Sequence, residues 1–263
     1  QNCTDTVKLR CWYEQYGAMD TANIKSKKKD IMLLDIGSEM SRYYSQTSYL
    51  GDSLVKIYAA RISQGIISSR QLETEIQQDA LKSPKRSRTH DYTILKNCPK
   101  SKLNLIDRFA MENYRYEEDI PVFDWELSED TMTVCGYLCK KAATTFRGRD
   151  YEAWYAPQIP VSSGPWKFAG LPGLILRIKD TRNMFLFLCT HMTKPEEAVL
   201  IDSDRDYGRA IMVSKSRYNR DKQKFMDNSG AFMTGNPVVQ QNGPLPAHNY
   251  VKKPFNPIEL TEK

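Results

Sequence analysis

Few side chains in this sequence are spaced as catalysis would require. Three histidines occur, His90, His191 and His248, and none has a partner at the H-x-x-x-H spacing that would place two imidazoles on one helix face around a metal. A serine nucleophile would need an elbow of the G-x-S-x-G kind, and Ser162-Ser163-Gly164 reads instead as a plain turn. The acid pairs Glu117-Glu118-Asp119 and Glu196-Glu197 sit in polar runs, where solvated loops are the simpler reading. Cys189 lies two residues before His191, but a buried disulfide is the more economical fate for it in an oxidising compartment. The ten methionines are scattered and no Gly-rich phosphate loop is present, so neither a metal nor a cofactor is expected.

Two features offer binding chemistry instead. Arg147 and Arg149 flank Gly148, and two guanidinium groups on a hairpin turn can clamp a carboxylate or phosphate in bidentate fashion. The same arginines could pin the turn by pairing with Glu126, Glu129 or Asp150. The second feature is the run Gly170-Leu171-Pro172-Gly173-Leu174-Ile175, with Trp154, Tyr155, Trp166 and Phe168 before it. Its glycines permit backbone conformations closed to other residues, while Pro172 fixes φ and removes a ladder donor. The leucines and Ile175 can then plug an apolar interior. The run is either a packed corner closing a curved sheet or the lining of a groove that offers Trp154, Tyr155, Trp166 and Phe168, with Arg147 and Arg149, to a ligand.

The elements needed to hold these groups are strands. Short β-like runs at Thr131–Tyr137, Leu138–Arg147, Tyr151–Ala156, Leu174–Lys179 and Met184–His191 are joined by short turns or by the Pro/Gly segment, which indicates an antiparallel meander. Further strands are expected at Val7–Tyr16, Asp30–Ile36, Asp91–Leu95 and Asn104–Asn113. Helical spacing of Leu54, Ile57, Tyr58, Arg61 and Ile62, followed by a Ser69-capped stretch to Leu81, predicts a helical hairpin inserted over 54–82. Tyr207, Ile211, Tyr218 and Phe225 predict one basic amphipathic helix between Asp204 and Asn228. Residues 229–263 read as an extended arm whose KPFNPIEL stretch can anchor back on the body. The expected fold is α+β, mainly β: a curved, half-barrel-like antiparallel sheet in one domain over 1–263.

Composition narrows the function classes. The 263 residues are 40% apolar and 27% charged, with a net charge of +6. Lysines 25 and 27–29 and the 82–88 run lie in polar, loop-like stretches without interleaved aromatics, so no nucleic-acid partner is expected. No run approaches a membrane-spanning length. The chain starts at Gln1 and is read as a product whose targeting segment has been removed. Six cysteines, Cys3, Cys11, Cys98, Cys135, Cys139 and Cys189, are all disulfide candidates suited to a periplasm or cell surface. Cys135 and Cys139 would stand about 13 Å apart on an extended strand, too far to bond each other. The expected pairs are Cys139 with Cys189, and Cys3 with Cys11 or Cys98.

Residues 136–178 also carry G-Y-x-C-x-K-A, F-R-G-R, A-W-Y, I-P, G-P and G-L-P-G-L-I in that order. This arrangement resembles the GLPGLI, or Porph_ging, family of exported Bacteroidetes proteins. The LDIG run at 34–37 and the KPFNPIEL run at 253–260 extend the resemblance over nearly the whole chain. It implies export to the periplasm or surface of a Gram-negative envelope. It also implies an outer-membrane partner of the TonB-dependent receptor type, and no established activity. A binding or accessory protein, with an apolar groove for a peptide or lipid-like ligand, is the expected function. The alternative is a hydrolase-like periplasmic enzyme of unrecognised type.

Overall fold

The computed structural model describes residues 3–18, 21, 27–47, 49–50, 60–66, 71, 91–109, 112–227 and 255–261. The helical hairpin expected over 54–82 and the arm expected over 229–263 lie outside the described residues, except for 60–66, 71 and 255–261.

Alternating burial drives the architecture. In β2 (Leu9–Gly17) the side chains of Cys11, Tyr13 and Gln15 turn inward while Trp12, Glu14 and Tyr16 turn outward, the period of two that a one-sided strand requires. From β2 one meander runs outward through β3 (Lys28–Ile36), β4 (Ser41–Ser45), β5 (Tyr92–Lys96), β6 (Lys102–Phe109) and β7 (Glu112–Asp119). A second meander, β8 (Glu126–Val134), β9 (Tyr137–Phe146), β10 (Arg149–Ala156), β11 (Leu174–Asp180) and β12 (Phe185–Thr193), runs back inward until β12 pairs with β2. A separate ribbon pairs β1 (Thr4–Thr6) with β13 (Leu200–Asp202). After it come α1 (Ser203–Tyr207), β14 (Ile211–Met212) and α2 (Lys215–Asp227), with β14 adding to β7 in parallel. The single basic helix expected between Asp204 and Asn228 is therefore two helices. The chain leaves α1 at Gly208 and is drawn into the sheet edge where Ile211 and Met212 pair with Tyr114 and Arg115.

One connection forces the sheet to curl. β7 and β8 stand ten strand positions apart in the sheet order. On a flat sheet ten steps would separate them by about 48 Å, whereas the six residues 120–125 can bridge at most about 25 Å. The two halves must bend toward each other, and the segment 157–173 fills the space they enclose. Its residues touch strands of both halves. Lys96 of β5 donates to the carbonyls of Gly164 and Phe168, and Phe168 packs against Tyr151 of β10 and Phe187 of β12. Tyr13 of β2 donates to the carbonyl of Ile175 at 2.7 Å. Burial pushes the Lys96 ammonium down to about 7.

Gly173 is the tightest point of this plug. Its φ is +154°, and a Cβ there would lie 2.3 Å from the carbonyl oxygen of Ala156. Substituting Gly173→Ala is expected to cost at least about 2 kcal/mol of unfolding free energy through overpacking against backbone that cannot swing away. Urea denaturation followed by tryptophan fluorescence measures it, and an unchanged midpoint would refute the close approach.

Candidate functional site

The turn between β9 and β10 carries Arg147, and Arg149 opens β10; both are directed at residues 255–261. Leu260 and Thr261 donate their backbone N–H groups to the carbonyl of Arg147, at 3.0 and 3.3 Å. Gly148 leaves room for this approach, since a Cβ there would stand 3.1 Å from the Leu260 Cβ. Arg149 donates to the carbonyls of Pro257 (2.8 Å) and Ile258 (3.0 Å) and to the Asn256 side-chain oxygen. Tyr151 adds a bond to the Ile258 carbonyl, and Asn256 donates to the carbonyl of Ala18 at 2.8 Å. Residues 255–261 thus form a strap across the turn.

Beneath the strap lies a compact ion cluster. Lys167, fully buried, meets the carboxylates of Glu118 in β7 and Glu259 in the strap, and donates to the Tyr116 hydroxyl at 2.8 Å. Arg147 reaches the same two acids at 2.7 and 2.6 Å, and Lys215 at the start of α2 reaches them at 3.0 and 2.7 Å. Burial alone would raise the Glu118 carboxyl, but the charges and hydrogen bonds of Lys167, Arg147 and Lys215 outweigh it and hold the group at about 2. Glu259 is likewise lowered against its burial by the same three cations. Desolvation pulls the Lys167 ammonium down, opposed by the two acids. The partners expected for Arg147, namely Glu126, Glu129 or Asp150, are replaced by Glu118 and Glu259. The curl of the sheet brings β7 to the β9–β10 turn, a contact no local spacing encodes.

Beside the cluster a cavity of about 390 Å³ opens between strands, helix and strap. Tyr92, Leu105, Tyr116, Trp166 and Phe185 form apolar walls, and α2 contributes Tyr218, Asn219, Lys222 and Gln223. Asp107 closes one end, held by the Tyr218 hydroxyl and the Lys222 ammonium. Burial and the neighbouring Asp107 charge push the Tyr218 phenol well up, so it stays a neutral donor.

Of the aromatics anticipated as ligand contacts, Trp166 lines this cavity. Trp154, Tyr155 and Phe168 are buried in the main core, at 8%, 3% and 0% exposure, with Leu171, Leu174 and Ile175 around them. Arg147 and Arg149 grip the strap. Lys167, Glu118, Lys215, Asn256 and Glu259 were not foreseen as a group. The usable signal was a lysine set inside the apolar run Gly164-Pro165-Trp166-Lys167-Phe168, because a charge in such a run must be buried with partners.

Of the expected cysteine pairings, that of Cys3 with Cys98 forms and that of Cys139 with Cys189 does not. Cys3 bonds to Cys98 with their Cα atoms 5.9 Å apart, whereas Cys11, Cys135, Cys139 and Cys189 are thiols. The expected Cys139–Cys189 bond does not form because their strands are not neighbours: β10 and β11 lie between β9 and β12, and the Cys139 thiol donates to the carbonyl of Tyr137. Burial pushes Cys135 and Cys139 up to about 11, and the Cys11 thiol and burial raise Cys189. Cys189 donates to the His191 carbonyl and not to its ring, which packs on Trp12. Among the described residues no group of three or more His, Cys, Asp or Glu side chains is placed to hold a metal ion, and no helix is long and apolar enough to cross a membrane.

Residues 147–177 match a family model described as a protein of unknown function. That model is the one for Porph_ging, and it covers this stretch of the chain alone. The Porph_ging match opens on Arg147, takes in Arg149, Trp166 and Lys167, and ends just beyond the Gly-Leu-Pro-Gly-Leu-Ile corner, so it covers the strap-gripping turn and the plug together. No curated protein matches the chain. Solved structures of PNGF-II are similar in fold. The P21 crystal form gives a TM-score of 0.50 at 11% identity over 81% of this chain, and the C2 form 0.50 at 12% over 82%. The chain spans only 32% of the length of either structure.

The cluster has a pH signature. An unfolded chain takes up a proton on Glu118 near its ordinary 4.5, whereas the folded chain resists until about 2. Between those values the unfolded state binds more protons, so stability is complete above about 4.5 and falls as pH drops toward 2. Urea midpoints measured from pH 5 to 2 are expected to decline, with a shallower decline in Glu118→Gln. An identical slope in that variant would contradict the assignment.

Proposed function

We propose that this is a non-enzymatic exported protein of the cell envelope that binds an apolar-bodied ligand, peptide-borne or lipid-like, in the cavity beside the strap. The observation that carries this reading is the cavity itself. Its volume of about 390 Å³ falls in the range of small-ligand sites, and its make-up is aromatic and aliphatic walls with a few convergent polar groups. At the helix side Lys222, whose ammonium has donors beyond the one given to Asp107, offers a contact for a ligand's polar head. The carboxylates nearby are engaged, Asp107 by Tyr218 and Lys222, Glu118 and Glu259 by three cations each. The Cys3–Cys98 disulfide supports an oxidising compartment. An accessory role beside an outer-membrane receptor of the TonB-dependent type follows from the family resemblance and belongs to the same proposal.

Mass spectrometry under non-denaturing conditions, on full-length protein purified from its native envelope, tests the reading. A bound species is expected on the native chain. It should be lost in Gln223→Trp, where an indole placed at the exposed helix side fills the mouth without touching the core. No added mass on the native chain, or unchanged occupancy in the variant, would remove the cavity as the binding site.

A further inference from the structure

The strap is held as a bound peptide is held. Asn256, Pro257, Ile258, Glu259, Leu260 and Thr261 are each engaged through a backbone or side-chain polar atom, and the groups that grip them are fixed independently. Arg149 is tied to Asp180 at 3.4 Å, and Arg147, Lys167 and Lys215 all converge on Glu118. Without Glu259, three cations would face a single carboxylate, with one of them, Lys167, fully buried. A buried site with such an excess of positive charge demands an anion. The gripping groups thus have anchors of their own in Asp180 and Glu118, and what the strap adds is one carboxylate at a set distance from an Asn-Pro pair.

We propose that the groove over the β9–β10 turn is a peptide-recognition site that accepts, in trans, an extended segment of a partner protein carrying Asn-Pro, an apolar residue, Glu and a second apolar residue. The chain's own residues 256–260 occupy it in cis. Arg149 reads the Asn side chain and two successive carbonyls, the Arg147 carbonyl accepts from the backbone after the Glu, and the Arg147–Lys167–Lys215 trio reads the acid. The inference rests on this face being the binding face, yet it stands apart from the cavity ligand, since a peptide can exchange whether or not the cavity is filled.

The test uses the full chain with a protease-recognition sequence inserted between residues 228 and 254, folded first and cut afterwards. A fluorescent peptide Phe-Asn-Pro-Ile-Glu-Leu-Thr-Glu-Lys is then added. It is expected to exchange saturably onto the cut protein, and the same peptide with its first Glu replaced by Gln should compete at least about tenfold more weakly, because a charge-assisted contact is lost. On the uncut chain the peptide should bind far more weakly, displaced by the tethered strap. Absence of exchange while the cut protein keeps its cooperative melt would overturn the proposal, as would equal competition by the Gln peptide. Concentration-dependent dimers of the uncut chain would assign the groove to the segment of a second copy and overturn the partner assignment.

Discussion

A lysine ammonium with no solvent around it sets the terms for this fold. Lys167 sits in an aromatic run, at 0% exposure, and a buried charge of this kind is tolerated only with carboxylates and further donors or acceptors in place. Glu118 arrives from one edge region of the sheet, Glu259 from the far end of the chain, and the Tyr116 hydroxyl from β7. Arg147 and Lys215 then balance the two acids from the β9–β10 turn and the first residue of α2. The rings of Trp166 and Tyr116, each 5.2 Å from the ammonium, complete its surroundings. Five parts of the molecule meet at one charge. Removing any one partner from such a network leaves a buried charge uncompensated, so the arrangement is costly to break.

The curl of the sheet makes that meeting possible and also explains the cavity. The short crossover from β7 to β8 bends the two meanders toward each other, and the plug of residues 157–173 fills most of what they enclose. It does not fill all of it. Lys167 holds the plug toward Glu118, and α2 is held over β6 and β7 by Tyr218 and Lys222 on Asp107. The space between plug, helix and strap remains open at about 390 Å³. Asp107 and Glu118 thus play parallel parts, one anchoring the helix and the other the plug and the strap.

Local features were legible in the sequence, and long-range ones were not. The alternation in β2, the strand-dense stretch from 131 to 191 and the bend at Gly173 all follow from side-chain period and backbone sterics, which neighbouring residues encode. The Gly-Leu-Pro-Gly-Leu-Ile corner could be placed as packed or ligand-facing but not decided. Trp154 and Phe168 face the core while Trp166 reaches the cavity, and the difference depends on which strand curls over them. Pairings across great sequence distance left no periodic trace. Cys3 finds Cys98 over 95 residues, and Lys167 finds Glu259 over 92. Both depend on how the halves of the sheet close. Arg147 had plausible acids nearby in sequence, and the curl supplied better ones.

The account stands or falls on the strap being seated by the ion cluster. Amide hydrogen exchange at Leu260 and Thr261, measured in the native chain and in Lys167→Met at the same pH, reads this most directly. Protection of both amides in the native chain approaching that of the β10 amides, falling in Lys167→Met while β10 stays protected, is the predicted result. Exchange of Leu260 and Thr261 at the rate of an unstructured peptide in the native chain would contradict it.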